Sequence, residues 1–332
     1  MTQLDQNPAS AHPATVETSS SRASFPHKHL LGIKDLNPDD IQLLLSAAAG
    51  YFDHNRKARK SLDLLRGLTQ FNLFFENSTR TLMSFEVAGK RLGMDVVDFG
   101  AATSSVKKGE TLRDTAKTLD AMGPAVMVIR HSDGGAIQDI ASHVGCAVIN
   151  AGDGTNEHPT QALLDAATML RHKDSLNGLN VTICGDIAHS RVAGSNIILL
   201  HKMGANVTLV GPQELMPTDA ESKGARVAHS IEDGLEGADV VMMLRIQKER
   251  LAGDLSMSDD DYFHHWGLSR TRLSLAKPDA IVMHPGPMNR RVEIADDVAD
   301  DKSRSVILEQ VEMGVALRMA VLETLTSHIL ED

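Results

Sequence analysis

From Leu30 onward, short apolar runs alternate with amphipathic stretches, and this alternation indicates the fold class. Short apolar runs bounded by turn residues predict buried strands, whereas apolar residues recurring every three or four positions predict helices. The first strands are predicted at 71–75, 95–99, 125–130 and 146–150. The helices between and after them are predicted at 79–92, 112–121, 136–143 and 160–171. Such alternation predicts a parallel sheet covered by helices on both faces.

The alternation restarts after HKDSLNG (172–178), a polar, glycine-terminated segment typical of a hinge. Further strands are predicted at 179–186, 206–211, 238–244 and 279–284, with a helix at 191–203. We therefore predict an α/β fold of two doubly wound parallel-sheet domains, at 27–171 and 172–304. The last helical pattern, about 305–328, follows the complete second sheet. We expect this C-terminal segment, 305–332, to return to the first domain.

Composition narrows the functional classes. Subtracting 44 acidic from 33 basic residues gives a net charge of −11, which argues against a general nucleic-acid or membrane surface. No apolar run of about 18 residues and no secretory signal is present, so a cytoplasmic protein is expected. Residues 1–26 are rich in Ser, Thr, Ala and Pro, which predicts a mobile N-terminal arm. Cys146 and Cys184 lie in apolar runs and are interpreted as buried thiols; no metal or cofactor is predicted.

Cationic side chains follow the predicted strands at the points where the strands end. Ligands of open parallel sheets bind beyond these carboxyl ends. The cations and histidine found there are Arg80, Lys107, Lys108, Arg130, His158, Arg191, Arg245 and Arg290. Because the chain as a whole is acidic, this concentration of positive charge on one rim predicts an anion-binding site.

Ser78-Thr79-Arg80-Thr81 places three hydroxyls and a guanidinium at a predicted helix start. One interpretation is an ordinary N-cap, although a cap needs only one hydroxyl. The other is a phosphate site built from free backbone N–H groups, the helix dipole and Arg80. His158, before Pro159, is similarly either a turn histidine or a neutral imidazole that donates to a carbonyl or oxyanion.

The remaining strand ends also leave two interpretations open. Arg191 is either a structural ion-pair partner near a helix start or a ligand of an anion. Arg245 and Gln247 share a face at strand spacing and are either edge polar residues or ligands. GDIAHSR (185–191) contains one glycine rather than GxGxxG, and no GxxxxGK[ST] occurs. A dinucleotide-binding site and a P-loop are therefore not supported.

Five motifs together carry a family resemblance over about residues 28–330. They are FxxSTRT (FENSTRT, 75–81), KGET (108–111), HPTQ (158–161), GDxxxSR (185–191) and HPGP (284–287). With them the chain resembles the transcarbamoylases, and specifically the catalytic chains of the aspartate branch. RIQKER (245–250) and HPGPMNRRVEI (284–294) indicate that branch, because ornithine enzymes have an H-C-L-P type sequence in place of HPGP.

The resemblance implies transfer of a carbamoyl group from carbamoyl phosphate to the amine of L-aspartate. The products would be N-carbamoyl-L-aspartate and phosphate, in an early step of de novo pyrimidine biosynthesis. The residues implied in catalysis are Arg80, Thr81, Lys108, Arg130, His158 and Gln161. Those further implied in substrate binding are Ser78, Thr79, Ser105, Arg191, Arg245, Gln247, Gly286 and Pro287. The family pattern also implies a cis peptide bond before Pro287.

The resemblance assigns each group a role. Residues 78–81 and Arg130 hold the phosphate, while Thr81, Arg130 and His158 polarise the carbamoyl oxygen. Gln161 orients the carbamoyl nitrogen. Arg191 and Arg245, supported by Gln247, grip the aspartate carboxylates. Carbonyl groups near Gly286 and Pro287 accept from N–H groups of the carbamoyl or the amine.

In the family, the loop that corresponds to 104–108 enters a neighbouring subunit's site. Lys108 therefore implies a homotrimer with shared sites, and either Ser104 or Ser105 contacts the phosphate. The resemblance also allows a partner chain, either a zinc-bearing regulatory subunit or a dihydroorotase-like chain. The alternatives to aspartate transfer are an ornithine or other amine transcarbamoylase and a non-catalytic scaffold. A scaffold should have lost some of the rim residues, and this chain keeps them.

Overall fold

The computed structural model describes residues 25–100, 110–220, 224–246 and 257–331. Most of the predicted N-terminal arm lies outside these ranges, as do Ser104, Ser105, Lys107, Lys108 and Gln247. The described chain forms two parallel-sheet α/β units and a C-terminal helix that returns to the first, which confirms the predicted fold class.

The first unit contains a four-stranded sheet. Its strands are β1 (Thr69–Phe74), β2 (Asp95–Gly100), β3 (Val126–His131) and β4 (Ala147–Asp153). Its helices are α1 (Pro38–Asn55), α2 (Thr79–Leu92), α3 (Leu112–Asp120), α4 (Ala136–Ala141) and α5 (Pro159–His172). The strand order is β2-β1-β3-β4, and every pairing is parallel. All seven residues of β4 are buried, as expected for a strand covered on both faces.

The second unit contains a five-stranded parallel sheet in the order β7-β6-β5-β8-β9. Its strands are β5 (Asn180–Cys184), β6 (Asn206–Val210), β7 (Ala225–Ala228), β8 (Val240–Met243) and β9 (Ile281–Met283). The helices that follow α5 are α6 (Arg191–Lys202), α7 (Ile231–Leu235), α8 (Asp259–Trp266), α9 (Arg270–Leu273), α10 (Asp296–Ala299) and α11 (Ile307–Thr326). The edge strand β7 and the short helices α7 to α10 were not predicted from the sequence.

Helix α1 was also not predicted from the sequence, although the residues at its start form a helix-capping motif. The Asn37 side chain accepts from the backbone N–H groups of Asp39 and Asp40, and the Asp40 carboxylate accepts from the Asn37 N–H. This reciprocal capping box, with Pro38 at the first helical position, defines the helix start.

Helix α11 joins the two units. It packs against α1, α2 and α5 of the first unit and reaches β9 of the second. The segment Ile307–Leu330 has the length and hydropathy of a membrane span, but 61% of its apolar window is buried inside the structure. Its buried face belongs to a hydrophobic core that is continuous from Ile149 of β4 to Val181 of β5. We therefore interpret α11 as the core helix that fixes the C-terminus to the first domain.

Both cysteines are buried and free, as predicted. Burial raises the pKa of each thiol to about 12, so both stay protonated at neutral pH.

Candidate functional site

A cleft of about 450 Å³ opens between the two units, where the carboxyl ends of their strands face each other. All the predicted site residues within the described ranges line it. They are Ser78, Thr79, Arg80, Thr81, Arg130, His158, Gln161, Arg191, Arg245, Gly286 and Pro287. The other three, Ser105, Lys108 and Gln247, lie outside the described residues. The topology thus brings together groups that are up to 209 residues apart in the sequence, from Ser78 to Pro287.

Three helix N-termini point into this cleft. Helix α2 begins after Ser78, α5 begins after His158, and α6 begins at Arg191. Ser78 is the N-cap of α2, but its side chain makes no capping hydrogen bond, and neither does that of His158 for α5. The ordinary N-cap interpretation of Ser78 is therefore wrong in this structure. Unsatisfied N–H groups and helix dipoles favour anions at such a position.

Glu76 lines the cleft and forms ion pairs with two of the arginines. Its carboxylate accepts from Arg191 Nη2 at 3.0 Å and 2.9 Å, and from Arg130 Nη2 at 3.3 Å. The two guanidinium groups are also fixed by backbone carbonyls, Arg130 by Ala151 at 3.0 Å and Arg191 by Gly154 at 2.9 Å. Both arginines line the cleft and are held in place there by Glu76 and by these backbone carbonyls.

Gly152 permits this close packing of arginines. It adopts a positive φ of 128°, and a Cβ placed there would lie 2.7 Å from Arg130 Nη1 and 3.0 Å from Arg191 Cζ. Any side chain at this position would displace one guanidinium or the other.

Arg80 is the most exposed of the cationic groups in the cleft. Partial burial and the nearby charge of Arg245 both lower its pKa, and no carboxylate of the described chain offsets these two effects. Two like charges so close together in a cleft destabilise each other unless an anion lies between them. Arg80 and Arg245 thus bring one positive charge from each unit to the lining of the cleft.

His158 is buried, with 4% of its surface exposed. Its backbone N–H donates to Ser195 Oγ at 3.0 Å, and its Nδ1 has no hydrogen-bond partner among the described residues. Burial lowers its pKa well below the usual range, and the charges of Arg130, Arg191 and Arg318 lower it further. The imidazole is therefore neutral at physiological pH, as the donor interpretation requires.

The loop His284–Pro287 forms the opposite wall. The peptide bond between Gly286 and Pro287 is cis, which confirms the expectation from the sequence. His284 Nδ1 accepts from the Gly286 N–H at 2.8 Å, so its proton lies on Nε2, which donates to Glu293 at 3.1 Å. A Cβ on Gly286 would lie 3.0 Å from Arg80 Cζ, so the loop and Arg80 are neighbours across the cleft.

Four residues of the site were not identified from the sequence. Glu76, Gln310 and Arg318 line the cleft. Asp165 lies behind it and links Gln310 to Gln161 through hydrogen bonds. Arg318 donates from Nη1 to the Gly314 carbonyl at 3.0 Å and stacks 4.9 Å above the Phe85 ring. Burial lowers its pKa to about 9. A single arginine within the apolar pattern of α11 was the available signal for a buried polar role.

Arg290, one of the cations expected on the rim, lies elsewhere. Its guanidinium forms ion pairs with Asp300 at 2.7 Å and Asp296 at 3.3 Å on the surface, and it does not line the cleft. Two aspartates of α10, one at each end of this short helix, therefore pair with Arg290 outside the cleft.

Two family models match nearly the whole described chain. The aspartate/ornithine carbamoyltransferase carbamoyl-P binding domain matches residues 28–171, and the Asp/Orn binding domain of the same family matches residues 177–325. The gap between the two matches, residues 172–176, lies within the polar segment interpreted as the hinge.

Proteins of known name are similar over the same length. The aspartate carbamoyltransferase catalytic subunit of Parvibaculum lavamentivorans is 59% identical over 305 residues, covering 92% of this chain and 93% of the relative. That of Ruegeria pomeroyi is 58% identical, covering 93% and 99%. A crystal structure of Trypanosoma cruzi aspartate transcarbamoylase with carbamoyl phosphate is 34% identical, with a TM-score of 0.82, over 89% of this chain and 95% of that one. The chain therefore belongs to the aspartate/ornithine carbamoyltransferase family.

Proposed function

We propose that the chain is an aspartate carbamoyltransferase. It transfers the carbamoyl group of carbamoyl phosphate to the amine of L-aspartate and releases phosphate. The observation that carries the proposal is the charge of the cleft: among the described residues, five arginines and a single carboxylate, Glu76, line it. Carbamoyl phosphate carries up to two negative charges and aspartate carries two carboxylates. A site that holds both substrates together needs this excess of fixed cations.

The phosphate group fits the N-terminus of α2. There the hydroxyls of Ser78, Thr79 and Thr81 and the guanidinium of Arg80 surround backbone N–H groups that no side chain caps. Arg130, on the neighbouring strand β3, binds the same anion. Helix dipole, free donors and cations act together at one point, which is the usual composition of a phosphate site.

The carbamoyl carbon lies between the phosphate site and His158. Thr81, Arg130 and the neutral His158 polarise the carbamoyl oxygen and stabilise the oxyanion that forms when the uncharged amine attacks. The oxyanion then collapses, the carbon–oxygen bond to phosphate breaks, and the attacking nitrogen passes one proton to the departing phosphate. The products are N-carbamoyl-L-aspartate and phosphate. Positioning of two substrates and electrostatic stabilisation supply the rate, without a side-chain nucleophile.

The aspartate carboxylates fit Arg191 and Arg245 of the second unit, with Gln247 in support. Arg191 is engaged by Glu76 in this structure. A dianionic acceptor amino acid binds there by sharing the Arg191 guanidinium with Glu76. Residues 27–171 thus bind carbamoyl phosphate, and 172–304 bind aspartate.

The first test compares acceptors. With carbamoyl phosphate present, the purified chain should carbamoylate L-aspartate and should give no product above background with L-ornithine. The physical reason is that arginines in the acceptor half of the cleft repel the second ammonium group of ornithine. Colorimetric detection of the ureido product measures both reactions. Preferential turnover of ornithine would identify the chain as the other branch of the family, and no turnover of either would favour a scaffold.

We also propose that the chain acts as a homotrimer in which Lys108 and Ser105 complete a neighbouring subunit's site. Trimers of Lys108→Ala and of Arg80→Ala should each be inactive, because each lacks one group in every site. After dissociation and mixing, hybrids should recover activity, because some boundaries then join two unaltered half-sites. Sedimentation confirms the hybrids, and a coupled phosphate assay measures activity. Confirmed hybrids without activity would show that each chain is self-sufficient.

The cellular context follows from the reaction. The enzyme acts in the cytoplasm at an early step of de novo pyrimidine biosynthesis, and no metal or organic cofactor takes part in its chemistry. A regulatory or dihydroorotase-like chain is a candidate partner. Native mass spectrometry of the purified chain, alone and from its own cell extract, tests this proposal.

A further inference from the structure

A buried carboxylate, Asp165, lies behind the cleft and contacts none of the proposed substrates. It is on α5, one turn after Gln161, and its exposed fraction is 0%. It accepts three hydrogen bonds of 2.9 Å, from Gln161 Nε2, from Gln310 Nε2 and from Asn196 Nδ2. A buried carboxylate that no cation pairs directly is costly unless such donors satisfy it, so its retention points to a role beyond packing.

The first consequence concerns the Gln161 amide. An ionised carboxylate accepts hydrogen bonds but cannot donate them, so Asp165 requires the Nε2 side of Gln161. The amide oxygen of Gln161 is then the group left for a ligand in the cleft. Burial raises the pKa of Asp165 to about 6, while the three amides and the charge of Arg318 oppose that rise. At neutral pH the carboxyl is therefore ionised and the orientation of Gln161 is fixed.

The second consequence concerns the loop across the cleft. Because Gln310 Nε2 points to Asp165, its Oε1 points away and accepts from the His284 N–H at 2.8 Å. His284 in turn accepts from the Gly286 N–H through Nδ1. The backbone N–H groups at 284 and 286 are thus used inside the wall, and the ligand meets carbonyl oxygens of the loop instead.

We propose that Asp165 is a positioning residue that turns two sets of hydrogen-bond acceptors, the Gln161 amide oxygen and the carbonyls after His284, towards the carbamoyl nitrogen. Acceptors facing the carbamoyl nitrogen form hydrogen bonds with its NH2 group. They form none with the methyl group of acetyl phosphate, which has a similar shape. Asp165 therefore sets the preference for carbamoyl phosphate over acetyl phosphate. The inference rests on the proposed function, because it requires that carbamoyl phosphate binds in this cleft.

The test measures three ligands against one variant. Asp165→Leu keeps a similar volume but removes both carboxylate oxygens, so Gln161, Gln310 and Asn196 all lose the acceptor that orients them. Calorimetric titration should show carbamoyl phosphate binding weakened by roughly 10- to 100-fold, the range for a buried polar group that loses its partner. Binding of acetyl phosphate and of inorganic phosphate should change by less than about 3-fold, because neither carries the NH2 group.

Two further variants separate positioning from folding. Asn196→Ala removes the donor to Asp165 that does not reach the cleft, so the ratio of carbamoyl to acetyl phosphate affinity should stay at the wild-type value. Gln310→Met keeps the length of the side chain but breaks the link to the His284 loop, and the ratio should fall. If Asp165→Leu does not fold, the affinity ratio measured for Gln310→Met still tests the positioning role.

The outcomes are distinguishable from failure of the proposed function. Wild-type protein that binds neither carbamoyl phosphate nor aspartate would refute the function itself. Normal turnover by the wild-type protein, with Asp165→Leu or Gln310→Met folded and the affinity ratio unchanged, would refute only the positioning role. Equal weakening of all three ligands would likewise overturn it, because a merely structural residue disturbs the phosphate site as much as the carbamoyl site.

Discussion

Replacing Arg80 with alanine should lower kcat/KM for carbamoyl phosphate by about 10³-fold or more, the range for an arginine that stabilises charge on a transferring phosphate. Arg80 follows the uncapped start of α2, and partial burial and then the charge of Arg245 lower its pKa. A bound anion therefore stabilises the positive charge of Arg80 in the cleft. The loss should appear in kcat as well as in KM, because the leaving phosphate gains charge in the transition state.

Arg226→Ala is the matched control for Arg80→Ala. Arg226 lies on the edge strand β7, where it forms an exposed ion pair with Asp233 at 3.1 Å. Exposed pairs of this kind contribute about 0–1 kcal/mol, so activity should remain near wild type. Steady-state kinetics with carbamoyl phosphate varied at saturating aspartate measure both variants. A kcat/KM within about 10-fold of wild type for Arg80→Ala would remove Arg80 from the phosphate site.

The fold and the rim of the site could be predicted because both depend on local patterns. Helix α2 was predicted at 79–92 and is observed at those residues, since its apolar spacing and Gly93 define its end. Parallel pairing then places all the strand ends on one edge of a sheet. Arg80, Arg130 and His158 consequently meet, although no local signal connects them.

The inner support of the site could not be predicted, because its partners are brought together only by the tertiary fold. From the sequence, an aspartate on an amphipathic helix is expected to be exposed to solvent. Asp165 is buried because α11 packs over it and contributes Gln310, which is 145 residues further along the chain. Glu76 lies in the motif that led to the phosphate site, yet its contact with Arg191 spans 115 residues and requires the two units to face each other. Arg290 was predicted to lie on the rim because it follows a strand, but it pairs with a nearby aspartate on the surface instead. Proximity to a strand end in the sequence therefore does not by itself place a cation in the cleft.

Replacing His158 with alanine should lower kcat by about 10²–10³-fold, the range for loss of one oxyanion donor. The imidazole is buried at the start of α5 and surrounded by Arg130, Arg191 and Arg318, and burial and these charges lower its pKa. A lowered pKa means that the neutral form predominates at and above neutral pH. The fold-loss of His158→Ala should therefore stay the same from about pH 9 down to about pH 6, whereas a histidine with an ordinary pKa of about 6.5 would give a loss that changes as the pH falls through that value.

His172→Ala controls for a histidine at the other end of α5. His172 forms a partly exposed pair with Glu309 at 3.1 Å, well away from the cleft, so kcat should stay near wild type. His158→Gln should recover part of the activity, because its amide can donate a neutral N–H to the carbamoyl oxygen from a similar position. Initial rates across that pH range measure all three variants. Because the proposed role is that of a neutral donor, a wild-type rate in His158→Ala, or a loss confined to the acid side, would contradict it.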